Sequence, residues 1–227
     1  MKRALFAGLL LCMIGGVLIL DRRGQAQSTA LPRLAAGEVA AQLVGRLLIS
    51  ADGTGQMFGY FPSLQGLPGP FFSGSESEST AYFTFSSVSF QVQTVANGSI
   101  LHLFSSPIGG VGSVTAYFNS YPNQDFSNPA SFSAGQAIAV FGLEHGMATA
   151  IPGGASLEIG SLTLNSSTPF SFQGQNYNLN MLGNGITLTA FFPAVPAASA
   201  LASLPVSIPF GATATATSSP EAVVIRR

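Results

Sequence analysis

Between residues 42 and 193 apolar and polar residues alternate at period two, and Gly, Pro, Asn and Asp interrupt them at short intervals. Successive side chains of a strand point to opposite faces, so this pattern predicts an all-β domain, an antiparallel β-barrel or barrel-like β-sandwich of about 8–10 strands. Strands are expected at 42–50, 56–62, 80–93, 99–105, 112–119, 136–145, 155–164, 169–173, 177–182 and 185–193. The first pair is joined through Ala51-Asp52-Gly53-Thr54-Gly55 and the third and fourth through Ala96-Asn97-Gly98. Asp-Gly and Asn-Gly favour the positive φ angles of tight hairpins. The alanine-rich stretch Leu34 to Leu43, with Glu38, reads either as a short helix or as a lead-in to the first strand.

Two of these segments change phase. In 80–93 the apolar set runs Ala81, Phe83, Phe85 and then Val88, Phe90, Val92, switching from odd to even across Ser86-Ser87. In 155–164 it runs Leu157, Ile159 and then Leu162, Leu164, across Gly160-Ser161. A one-residue slip turns a strand inside out, so each switch predicts a bulge or corner of the kind that curls a sheet into a barrel.

The ends differ from this middle. Lys2-Arg3, the apolar run Ala4 to Leu20 and the small residues Gly24-Gln25-Ala26 have the layout of a signal peptide cleaved after Ala26. An uncleaved anchor followed by Arg22-Arg23 is the rival reading. Residues 27–41 are read as a lead-in, 42–193 as the domain, and 194–227, rich in Ala, Pro, Ser and Thr, as a flexible tail whose Leu204 to Phe210 run docks on it. The expected location is therefore secreted, periplasmic or cell-envelope, in a bacterium.

Composition narrows the function classes. Apolar residues make up 47% of the chain and charged ones 7%. Beyond residue 26 there are eight acidic residues against four arginines, a net charge of −4, and no lysine. No basic patch exists for nucleic acid or for anionic lipid, so no nucleic-acid partner is expected, and no membrane contact apart from an N-terminal anchor. The single cysteine, Cys12, lies in the leader, which leaves the domain without a disulfide or a thiolate. Eighteen phenylalanines and no tryptophan mean that Phe, with Leu, Ile and Val, fills the core.

Candidate chemistry is sparse. His102 lies on an apolar strand face with Ile100 and Phe104, and His145 follows Phe141 and Leu143 on another; each reads first as a packing residue, and as a ligand or acid/base pair if both line one interior. Glu144 beside His145 resembles a dyad, but in a regular strand the two point to opposite faces. With Tyr82 and Tyr117 the histidines are the polar candidates for a ligand site. Phe71-Phe72, flanked by Pro68-Gly69-Pro70 and Ser73-Gly74-Ser75, reads as a plug for the barrel bottom or as an exposed apolar contact for a ligand. Glu76 and Glu78, two apart in an extended stretch, read first as a solvated loop and otherwise as candidates for holding a calcium ion, and turn formation accounts for Asp52 and Asp125. No nucleophile elbow, zinc-protease motif, phosphate loop or dinucleotide fingerprint is present, and no cofactor is expected.

The expected function is that of a non-catalytic exported β domain with a binding or structural role, whose partner is a small molecule, a glycan, an envelope component or another copy of itself. The alternative is a barrel that holds a small apolar ligand in its interior, with cyclase- or isomerase-like chemistry as one form of it.

Overall fold

The computed structural model describes residues 34–98, 100–110, 112–150, 154–182, 185–193 and 205–217. The leader-like residues 1–26 and the cleavage expected after Ala26 lie outside these residues. No helix among the described residues is long and apolar enough to cross a membrane.

The strands are β1 (Val39–Ile49), β2 (Thr54–Leu64), β3 (Phe83–Ser87), β4 (Phe90–Asn97), β5 (Ile100–Pro107), β6 (Ser113–Phe118), β7 (Gln136–Ala150), β8 (Ser156–Ser167), β9 (Phe170–Phe172), β10 (Gln175–Tyr177), β11 (Gly185–Phe192) and β12 (Val206–Thr217). All pair antiparallel. β1, β12, β11, β8 and β7 are consecutive neighbours; β7 then pairs with both β6 and β5, β2 pairs with both β3 and β4, and β1 pairs with β2. Each of the pairs β3/β4 and β5/β6 acts as one bent stave, which gives a closed barrel of eight staves. β9 and β10 form a separate small hairpin.

Alternation explains β1: Ala41, Leu43, Leu47 and Ile49 are buried, with Gln42, Val44, Arg46 and Leu48 between them on the other face. The first hairpin closes as expected. Gly53 takes φ +79°, and the Asp52 carboxylate accepts hydrogen bonds from the Thr54 amide (3.0 Å) and hydroxyl (2.8 Å). Gly98, φ +62°, turns β4 into β5.

The expected phase change in 80–93 is present as the break between β3 and β4 at Val88-Ser89. Phe83, Phe85 and Phe90 are buried, whereas Val88 is exposed at the corner. The change expected in 155–164 is absent. From Ser156 to Leu164 β8 keeps one phase, with Ser156, Glu158, Gly160, Leu162 and Leu164 inward and Leu157 and Ile159 outward, and its own register shift lies beyond, at Asn165. The irregularity sits in the neighbouring strand, where the β7–β8 register shifts between Leu143 and Gly146. β7 accordingly buries Phe141 and Leu143 before Glu144-His145, and Gly146 and Ala148 after it.

Two further expectations are corrected. Residues 177–182 are not a strand, since Leu179–Leu182 forms a short 3-10 turn whose Leu179 is buried. Residues 206–217, read as part of a flexible tail, form β12 between β1 and β11. The repetitive Ala-Thr sequence is itself a period-two pattern: Ile208, Phe210, Ala214 and Ala216 are buried, with Pro209, Thr213 and Thr215 between them on the other face.

Phenylalanines fill the interior. Phe85 lies 5.3 Å from Phe61 and 6.3 Å from Phe210, and Phe210 lies 5.4 Å from Phe192, between ring centroids. Gly45 and Gly59, opposite one another across β1 and β2, make space for this layer: a Cβ on either would come within 2.9 Å of the Phe85 ring. Phe83, Phe118, Phe170, Phe172 and Tyr177 form a second cluster under the β9–β10 hairpin. Each fully buried ring of this kind stabilises the fold by about 1.5–3 kcal/mol.

Candidate functional site

The described interior contains two small cavities, one in each half of the barrel. The first lies among Ala41, Leu43, Phe61, Phe141, Ile186 and Leu188, with Leu179 of the 3-10 turn also lining it, and no polar surface faces it. The second lies among Leu47, Phe90, Val92, Leu103, Phe192 and Ile208, and there Ser105, Ser156 and Glu158 also face the space. Each has a volume of about 30 Å³, which is room for one or two water molecules.

Glu158 reaches this interior because its neighbours are small. Its Cα partners on the flanking strands are Ala148 and Ala190, both buried. The Glu144-His145 irregularity then brings Gly146 to the inner face next to it. A Cβ on Gly146 would lie 2.8 Å from Glu158 Oε1 and would overlap Ser105 Oγ as well. Burial in these surroundings raises the Glu158 carboxyl from its ordinary 4.5 to about 7, while the Ser105 hydroxyl, hydrogen-bonded to the carboxylate, pulls the other way. The Ser156 hydroxyl donates to the Thr149 carbonyl at 3.0 Å, which leaves its oxygen able to accept. A carboxyl titrating near neutrality, with two hydroxyls beside it, can take up or release a proton or pair with a cation.

The residues singled out from sequence lie elsewhere. His102 is half-buried on the outer face, 3.3 Å from the Thr149 hydroxyl through Nδ1 and 6.4 Å from the Phe104 ring. His145 is exposed in the β7 irregularity and lines a shallow groove with Glu144, Asn165 and Ser106. The two histidines do not meet: His102 pairs with Thr149, four residues along β7 from His145, which is about 13 Å in an extended strand. Tyr82 packs edge-on against Phe172 at 5.7 Å, and Tyr117 is half-buried on β6 opposite Thr84. Phe72 is buried 5.9 Å from Tyr60, and Phe71 is half-buried 5.7 Å from Phe83, so both rings are packed on the domain. Glu76 is exposed and Glu78 half-buried; after burial, their charges are what raise the Tyr60 hydroxyl above its ordinary value.

The outer wall beside the Glu158 cavity is apolar. Phe104, Met147 and Ile159 are successive Cα partners across β5, β7 and β8, and Leu157 pairs with Phe191 across β8 and β11. Leu157 is 50% exposed, Ile159 54% and Phe191 52%. With Val95, which lies opposite His102 across β4 and β5, these side chains present on the order of 500 Å², near the upper end of what a monomer leaves uncovered.

Sequence reasoning missed Glu158 because the alternation was aligned on Leu157 and Ile159. The signal available was the run Ala148, Gly146, Ala190 and Gly160 on facing strands, where small residues leave space for one long one. Comparison with protein-family models, with curated proteins and with solved structures finds no match to this chain.

Proposed function

We propose that this chain is an exported, non-catalytic β-barrel that acts in a bacterial envelope or extracellular layer by associating with other copies of itself through the outer wall of β4, β5, β7, β8 and β11. The observation that carries this reading is the apolar face formed by Phe104, Met147, Leu157, Ile159 and Phe191 on an otherwise hydroxyl- and amide-rich surface. The barrel is closed, and the open edges among the described strands are short: Gln93 to Asn97 of β4 pairs only with β5, and each strand of the β9–β10 hairpin pairs on one side. The continuous apolar wall favours face-to-face contact over strand addition at these short edges. The face carries no Lys, Arg, Asp or Glu among the side chains named, so two copies would meet without a charge being buried. The leader-like residues 1–26 support an extracytoplasmic setting.

Light scattering over a protein concentration range tests this. The wild type should rise from monomer toward dimer or larger species, and Leu157→Thr combined with Ile159→Thr and Phe191→Thr should hold it at the monomer mass. A wild type that stays monomeric at several hundred micromolar would overturn the reading.

The interior-ligand alternative is narrowed by the packing. Sites for drug-sized ligands span roughly 300–1,000 Å³, far above the two described interior cavities of about 30 Å³. What the Glu158 cavity admits is one small polar head group.

A further inference from the structure

We propose that the Glu158 cavity binds a small primary ammonium group carrying an apolar chain, with the ammonium on the Glu158 carboxylate and the first carbons of the chain against Val92, Leu103, Phe192 and Ile208. This site is separate from the outer wall and stands or falls independently of self-association.

The lining supplies both halves of the recognition. An ammonium has three donors and no acceptor, and the cavity offers a carboxylate and two hydroxyl oxygens, Ser105 and Ser156, within one lining. The rest is aliphatic or aromatic and suits a hydrocarbon chain. The described arginine, Arg46, is on the outside, 5.1 Å over the Phe126 ring, and does not reach this carboxyl. A cation from solution is therefore the partner that would offset the cost of ionising Glu158 in an apolar site. A divalent metal fits poorly, because one carboxylate and two hydroxyls fall short of the six or more oxygens that calcium takes. A neutral alcohol would leave the ionised carboxylate without a counter-charge. The volume of about 30 Å³ matches a head group and not a whole ligand.

Charge also sets the pH response. Of the described side chains lining the cavity, which come from β1, β4, β5, β7, β8, β11 and β12, only Glu158 titrates. Its carboxyl is about half ionised near pH 7, whereas an alkylammonium stays charged up to about pH 10. Affinity should therefore rise with pH, by about tenfold between pH 6 and pH 8.

The test is an NMR titration of the protein with hexylammonium chloride, with 1-hexanol and sodium hexanoate as controls of equal chain length. Saturable shifts of Leu103, Ser105 and Ser156 resonances are expected, about tenfold weaker at pH 6 than at pH 8 and absent in Glu158→Gln. Gly146→Ala, whose methyl would fall on Ser105 and Glu158, should lose binding too and gives a second variant if the first does not fold. Equal binding of hexylammonium by Glu158→Gln, equal binding of 1-hexanol by the wild type, or no saturable shift with the ammonium would each overturn the assignment.

Discussion

In the half of the barrel that Leu179 closes, β8 turns Leu162 and Leu164 inward and sets Ser161 and Thr163 outside; in the other half it turns Ser156 and Glu158 inward and sets Leu157 and Ile159 outside. The stretch 156–164, of unbroken phase, thus carries two opposite patterns. The first half is what burial alone favours, with apolar side chains in and hydroxyls out. The second departs from that rule on both faces at once, and departures that cost stability are expected where a surface or a carboxyl has work to do. The layer of Phe61, Phe85, Phe210 and Phe192 contributes to the core between them.

The largest effect is expected at that layer. Phe85→Ala would empty the barrel centre, and large-to-small changes of a buried ring cost about 3–5 kcal/mol. Gly59→Ala attacks the same layer from the opposite side, since a Cβ there would overlap the Val44 carbonyl and come 2.9 Å from the Phe85 ring. Both should lower the midpoint of denaturant unfolding far more than any change on the outer wall. A Gly59→Ala protein of wild-type stability would mean that β1 and β2 are not in contact as described.

Next is the polar half. Because the folded-state pKa of Glu158 is raised, the native state holds a proton between about pH 4.5 and 7 that the unfolded chain has released. Stability therefore falls as pH rises through that window and the loss is complete above pH 7, with an upper bound on the order of 3 kcal/mol. Glu158→Gln removes the titration. It should match the wild type near pH 4 and exceed it at pH 8, as read from thermal unfolding at the two values. An unchanged difference across the window would place the carboxyl in water.

The barrel class, the hairpins at Gly53 and Gly98 and the corner between β3 and β4 were all legible from alternation and turn residues, because these are local signals. β12 was legible in the same terms but masked by composition: Ala-Thr repeats resemble a linker until alanine is counted as the inward residue. The candidate site was not legible, and for a definite reason. Alternation locates a core by assuming that apolar means inside, and in 155–159 that assumption fails on both faces, so the reading placed a bulge in β8 that belongs to β7. The bulge itself is marked by Glu144-His145, where two polar residues separate Leu143 from Gly146, and it is recognisable only once the partner strand is known.

The smallest expected effect separates the two halves most directly. Leu157→Thr with Ile159→Thr alters the same strand as Leu162→Thr does, and all three substitutions replace an aliphatic side chain by a hydroxyl one. If the outer wall is solvent-facing in the monomer, the first pair should change monomer stability by no more than about 0.5 kcal/mol, as for surface substitutions elsewhere. Leu162→Thr, in the buried half, should cost on the order of 2–3 kcal/mol through lost burial and an unpartnered hydroxyl. Measuring both at a protein concentration low enough to suppress association isolates the fold from the interface. A large loss from the outer pair under those conditions would mean that Leu157 and Ile159 are covered within the single chain, and the outer wall would then be core.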